Sequence, residues 1–191
     1  MMSLALAGDT FGEWGWVASA EREANLFLTH ELVSIGPING LLPAPNELVQ
    51  INYGNEVLTN NLLALADATG KRAYSVLGGI QATWWFGNNP AGEPMYDPAT
   101  GRAYDGIEPD RRINRNSGAE SVVSALLGLM ETLQDPLARE YLVYDEIVEI
   151  VGWAKYEAEA GALANGAEVV VPDSAWTGEA LWSGGAYAEL E

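Results

Sequence analysis

Carboxylates, amides and aromatic rings crowd one stretch of this 191-residue chain. It reads Trp84-Trp85-Phe86-Gly87-Asn88-Asn89, then Met95-Tyr96-Asp97-Pro98, Thr100-Gly101, Tyr104-Asp105-Gly106-Ile107, and Asn114-Arg115-Asn116-Ser117-Gly118-Ala119-Glu120-Ser121. Glycosidic hydrolysis requires two carboxyl groups flanking the bond, one donating a proton and the other acting as base or nucleophile. Asp105, beside a glycine that can turn the chain, and Glu120, at the opening turn of a predicted helix, are the candidates. A helix N-terminus favours the charged form of Glu120, which suits a base better than an acid. Ser117 to Glu120 also fits a capping box, in which both side chains only satisfy backbone amides, so Glu120 has a structural reading beside the catalytic one. Asp97, before a proline, reads as a turn former. A pyranose offers an apolar C–H face to an aromatic ring, and Trp84, Trp85, Tyr96 and Tyr104 suit that contact, with Asn88, Asn114 and Asn116 as polar partners. Tryptophans at helical spacing also serve as core, and at least one of Trp84 and Trp85 is expected to be buried packing. His30 reads as a structural histidine within a helix, and Glu13, Glu21 and Glu23 as a solvated helix start.

The elements that must position these groups are helices. Apolar residues recur at helical spacing at Trp16, Ala20, Ala24, Phe27, Leu28, Leu32 and Ile35, predicting a first helix over about 16–35. A second, over about 53–68, buries Val57, Leu58, Leu62, Leu65 and Ala66 and stops at Gly70. The third spans about 71–86 and ends in Gly87-Asn88-Asn89-Pro90; the fourth spans about 119–133. The fifth begins after Asp135-Pro136 and carries Leu137, Tyr141, Tyr144, Ile147, Val148 and Val151. Connections alternate between long (36–52 and 87–118) and short (67–71 and 134–136). In a run of antiparallel helices every second connection emerges on the same side, so both long loops should share one face. A structureless stretch of about thirty residues inside a compact domain is uncommon and usually functional. A plain helical bundle with one insertion is the alternative.

Composition limits the partners. Nine basic residues against 27 acidic ones give a net charge of −18, which repels a phosphate backbone and argues against nucleic acid. The absence of cysteine excludes disulfides and thiolate chemistry. No stretch has the apolar length of a membrane span, and residues 1–8 lack the basic side chain and apolar run of a signal peptide. After Gly152 the character changes: Ala167-Glu168-Val169-Val170-Val171 reads as a strand, and Gly, Ser and Trp become frequent. The expected domains are 1–152 and 153–191, the second too short for a β-sandwich of about 100 residues. Five helices is odd for hairpins, and truncation at both ends is expected.

The ordered series W-x-x-G-x-N, Y-D-x-x-T-G, D-G-I and N-x-N-x-G-A-E-S resembles the C-terminal part of bacterial six-hairpin-glycosidase-like proteins, over about residues 10–152. The resemblance implies an incomplete (α/α) toroid of about five antiparallel helices with long loops on one face, acting on poly- or oligosaccharide and needing no cofactor. Many relatives carry a cysteine-containing turn where this chain has Arg102-Ala103-Tyr104. The alternative is a non-catalytic glycan-binding scaffold. A terpene-cyclase-like toroid is set aside because no aspartate-rich metal cluster occurs. The tail, with Tyr156-Glu157-Ala158-Glu159, Gly166-Ala167 and Trp182-Ser183-Gly184-Gly185-Ala186-Tyr187, resembles the opening of β-jelly-roll carbohydrate-binding modules. That resemblance implies a truncated β-sandwich segment at the C-terminus. It makes Glu157 and Glu159 ligands of a structural calcium in the complete module, with an exposed acidic strand holding no ligand as the alternative, and it slightly favours an extracellular over a cytoplasmic setting.

Overall fold

The computed structural model describes residues 1–37, 49–149, 156–173 and 186–190, and they are mainly helical. The helices come as three hairpins. In the first, α1 (Met2–Phe11) turns into α2 (Trp14–Glu23) at Gly12, which takes the left-handed conformation (φ 73°) that a residue with a Cβ resists. The Glu13 N–H then closes on the Gly8 carbonyl at 2.8 Å. α2 runs on through a π-helical turn, Ala24–Leu28, into α3 (Thr29–Ile35). The second hairpin is α4 (Asn52–Thr69) and α5 (Arg72–Ala82), with Gly70 (φ 67°) between them and a 3-10 turn, Thr83–Phe86, finishing α5. The third is α6 (Ala119–Gln134) and α7 (Pro136–Glu140).

Several expectations change. α1 is an additional helix, because a short, largely apolar segment has little amphipathic period to read and declares itself by packing on α2 and α4. It makes the helices pair off evenly. The predicted stripe of the first long helix shifts: Val17, Ala20, Ala24, Leu28 and Leu32 are buried, while Trp16 is exposed. Val17 and Trp16 flank the same stripe, three and four residues before Ala20, and the smaller valine is the one packed, against Gly8 of α1. Val57 also lies at the surface rather than in the core. The predicted fifth helix ends at Glu140; residues 141–143 turn and 144–149 carry no regular structure, and Val151 lies outside the described residues. Tyr141, Val143 and Tyr144, followed by Asp145 and the β-branched pair Ile147-Val148, are poor helix formers, so nothing sustains the helix beyond its capped first turn.

α4 is the central helix, packed against α5, α6 and α1, while α5 also packs on α7. The Met2 N–H donates to Asn61 Oδ1 at 2.7 Å, fixing the start of α1 beside the middle of α4. Lys71 Nζ donates to Glu21 at 2.5 Å and the Tyr74 hydroxyl to the same carboxylate at 3.1 Å, tying α2 to the α4–α5 turn. Glu21 is therefore engaged rather than merely solvated, and Lys71, first of all, holds its pKa below the ordinary value. One apolar core lies between the first two hairpins, around Leu28, Leu58, Leu62 and Leu65. The second lies under the 87–118 connection, around Trp84, Trp85, Met95, Ile107 and Leu129.

The described end of the first long connection meets the second. β1 (Gln50–Ile51), at the end of the first, pairs antiparallel with β4 (Gly106–Ile107) of the second, and β4 pairs with β5 (Ile113–Asn114). β2 (Tyr96–Asp97) and β3 (Arg102–Ala103) form a separate hairpin. Asp97 makes its turn as expected, accepting from Ala99 N–H at 2.9 Å and from Thr100 Oγ1 at 2.6 Å. The second connection is thus ordered throughout rather than structureless. In the tail, the predicted strand appears as β6 (Glu168–Val170), paired with β7 (Tyr187–Glu189). The Y-E-A-E segment is not a strand: Ala158–Ala160 is a 3-10 turn. The expected boundary at 152/153 and Trp182 to Gly185 lie outside the described residues. No described helix is long and apolar enough to cross a membrane.

Two predictions follow from the helix contacts. A Cβ on Gly79 would strike the backbone of Ala138, whereas one on Gly15 would meet open space. Gly79→Ala should lower stability in urea unfolding, while Gly15→Ala should raise it by about 0.5–1 kcal/mol through helix propensity. Asp135 caps α7, accepting from Leu137 N–H at 2.8 Å and Ala138 N–H at 3.0 Å. Burial opposes its ionisation, but bonds from Ser75 and those two amides, with Arg72 nearby, outweigh it and hold its pKa below the ordinary aspartate value. Asp135→Ala should cost about 1 kcal/mol. Because the folded-state pKa is depressed, that contribution is complete above the ordinary aspartate pKa and disappears as pH falls through the lower folded-state value. Urea midpoints across acid pH should therefore converge between the two proteins.

Candidate functional site

The site is built on polar side chains buried where the long connections join the helices. The Trp84 indole N–H donates to Gln50 Oε1 at 2.8 Å, and the Trp85 indole N–H to Asn52 Oδ1 at 2.9 Å. Asn52 Nδ2 in turn donates to the Tyr104 carbonyl at 3.0 Å, and its backbone N–H to the Asp105 carbonyl at 3.0 Å. Farther along α4, Gln81 Nε2 donates to Asn55 Oδ1 at 2.7 Å. Met95 N–H bonds the Trp85 carbonyl and Tyr104 N–H the Met95 carbonyl, both at 2.9 Å.

Both tryptophans are 0% exposed, so neither offers a ring face to a sugar. Their assignment as stacking platforms is corrected to core, where indoles pack edge to face and find buried acceptors. Asn88 is buried and donates to Thr83 Oγ1 at 2.9 Å. Tyr96 is half-buried with its ring edge-on to Phe86. Tyr104 is half-buried, and the Arg115 guanidinium lies 5.2 Å above its ring, occupying that face. Arg115 also pairs with Glu93 at 2.7 Å, and this bond, then one with Tyr104, raises its pKa. Asn114 Oδ1 accepts from the exposed Asn116 N–H at 3.2 Å, a local turn bond.

Asp105 and Glu120 are brought to the same end of α6, in different roles. Asp105 Oδ1 accepts from Ser121 Oγ at 2.6 Å and Gly118 N–H at 3.2 Å, so Asp105 holds the opening of α6 from the neighbouring loop. Gly118 is the residue before the helix and makes no side-chain cap; the capping box of Ser117 and Glu120 is not formed. Glu120 is exposed. His30 is also exposed, on α3. In the tail, Glu157 precedes a 3-10 turn and Glu159 lies within it, rather than alternating along a strand. No cluster of three metal-ligating side chains occurs among the described residues.

The open concavity lies beside these residues. A cleft of about 620 Å³ is lined by Pro37, Gly87, Asn88, Arg111, Asp145, Glu146 and Ile147, among others. It is bordered by the first long connection, the second, and the segment leaving α7. Asp105 and Glu120 are not among its lining residues; its carboxylates are Asp145 and Glu146. Sequence reasoning missed them because it assigned them to the fifth helix. It also missed Gln50 and Asn52, although two adjacent tryptophans in a helical pattern signal that buried acceptors must exist somewhere. A scan against protein-family models finds no match to this chain, and a search of curated proteins finds no significant relative.

The two roles at α6 separate by stability. Asp105→Ala should cost about 1–2 kcal/mol in urea unfolding, since it removes two charge-assisted hydrogen bonds that hold the start of the helix. Glu120→Ala should cost less than about 1 kcal/mol, the scale of a surface charge near a helix terminus.

Proposed function

We propose that this chain is part of a carbohydrate-active, glycoside-hydrolase-like protein acting on poly- or oligosaccharide. Its three hairpins would be an arc of an (α/α) toroid, and its tail the start of a jelly-roll carbohydrate-binding module. One observation carries the reading: the described ends of the first long connection lie with the second, Gln50–Ile51 paired to Gly106–Ile107 and Pro37 beside Gly87–Asn88, and with residues 145–147 they border a polar cleft of about 620 Å³. Such a cleft has the size of a small-ligand site. Amide, guanidinium and carboxylate groups line it, the donors and acceptors that sugar hydroxyls need. Tyr144, paired with Tyr141 at 5.6 Å between ring centroids, is 56% exposed and directly precedes the lining residue Asp145, which makes it a better stacking candidate than either buried tryptophan.

A second reading, a glycan-binding scaffold without turnover, is favoured by the capping role of Asp105. A carboxylate holding Ser121 and Gly118 is poorly free to act as acid or base. A polysaccharide panel decides, with retardation in affinity electrophoresis read beside release of reducing ends. Retardation with new reducing ends is expected for the hydrolase, and retardation alone for the scaffold. Mobility unchanged by every polysaccharide, with no release, would remove both.

A further inference from the structure

We infer that Arg111 selects the ligand of the cleft, and that the ligand is an uncharged, hydroxyl-rich sugar held between this guanidinium and the carboxylates of Asp145 and Glu146. The inference rests on the carbohydrate reading of the cleft.

Arg111 stands at an unusual backbone position. It has φ 65°, and among the described residues the one other non-glycine residue with positive φ is Asn165. It is the last residue of the three-residue turn 109–111 between β4 and β5, closed by Arg111 N–H to the Glu108 carbonyl and Glu108 N–H to the Arg112 carbonyl, both at 2.8 Å. A three-residue hairpin turn needs a left-handed residue at this place, and glycine fills it without a Cβ conflict. The turn bonds use the backbone of Arg111 alone, so they give no reason for an arginine side chain there.

The side chain is available. Arg112 pairs with Asp110 at 3.5 Å and Arg115 with Glu93 at 2.7 Å, whereas Arg111 makes no ion pair among the described residues. It lines the same cleft as Asp145 and Glu146 without bonding either. A guanidinium supplies donors only and ionised carboxylates supply acceptors only. Placed in one cleft but apart, they suit a ligand whose groups both donate and accept, which is what sugar hydroxyls do.

Charge narrows the class. A polyanionic glycan meets the overall charge of −18 together with Asp145 and Glu146, and an aminosugar polymer meets Arg111. An uncharged glycan satisfies all three groups.

The test compares wild type, Arg111→Gly and Arg111→Lys by calorimetric titration with cello-, xylo-, manno- and galacturono-oligosaccharides, with melting temperature measured on the same samples. The expected result is a glycine variant that melts no lower than wild type, yet binds the preferred neutral oligosaccharide about tenfold more weakly or worse, as loss of a charge-assisted hydrogen bond implies. Lysine, with the charge but without the planar fork, should recover part of the affinity. A glycine variant that binds as wild type, a glycine variant that melts lower, or preference for the galacturonate series would overturn the assignment. Absence of binding by wild type to every oligosaccharide would instead strike the carbohydrate reading beneath it.

Discussion

The carboxamide of Asn52 is the constraint on which the rest of the structure depends. Its oxygen accepts the Trp85 indole and its nitrogen donates to the Tyr104 carbonyl, at a site 1% exposed. One side chain at the start of α4 thereby joins the end of α5 to the long connection that follows it. Water cannot replace a lost partner there, so each bond is costly to break although each contributes modestly when formed. Gln50 repeats the arrangement two residues earlier with Trp84. The pairing of β1 with β4 and the backbone bond from Asn52 to Asp105 add to the same junction. Loosening it would free the long connection and, with it, Arg111 and the wall of the cleft.

Small residues set how closely the helices approach this junction. Gly128 on α6 lies where a Cβ would run into the Trp85 ring, so the indole packs directly on the helix backbone. Gly79 does the same for α5 against α7, and Gly8 for α1 against α2. The buried face of α6 is mostly small, with Ser121, Ser124, Ala125, Gly128 and Thr132 beside a single leucine, Leu129, while Val123, Leu127 and Met130 are exposed. An ordinary amphipathic reading would bury more of the large apolar residues of this helix. The bulk of Trp85 on one side and the tether from Ser121 to Asp105 explain its actual orientation.

The face carrying the cleft is also electrostatically distinct. Arg102, Arg111, Arg112 and Arg115, four of the nine basic residues, fall between positions 87 and 118, against five acidic ones, Glu93, Asp97, Asp105, Glu108 and Asp110. That segment is therefore nearly neutral in a strongly acidic chain.

Much of the helical framework was legible in the chain itself. Gly70 and the pair Asp135-Pro136 marked helix ends through their own backbone preferences, Asp97 made its turn with neighbours three residues away, and α4 and α6 fell at the expected places. The alternation of long and short connections foretold that the long ones meet, because antiparallel neighbours leave no other side for them. What remained hidden depended on partners distant in sequence. The burial of both tryptophans required Gln50 and Asn52, and the role of Asp105 required Ser121. Residue type and spacing act over a turn or two and so determined the elements. Which carboxylates face the cleft and which hold a helix is a matter of long-range burial and hydrogen bonding, and only the tertiary structure decided it.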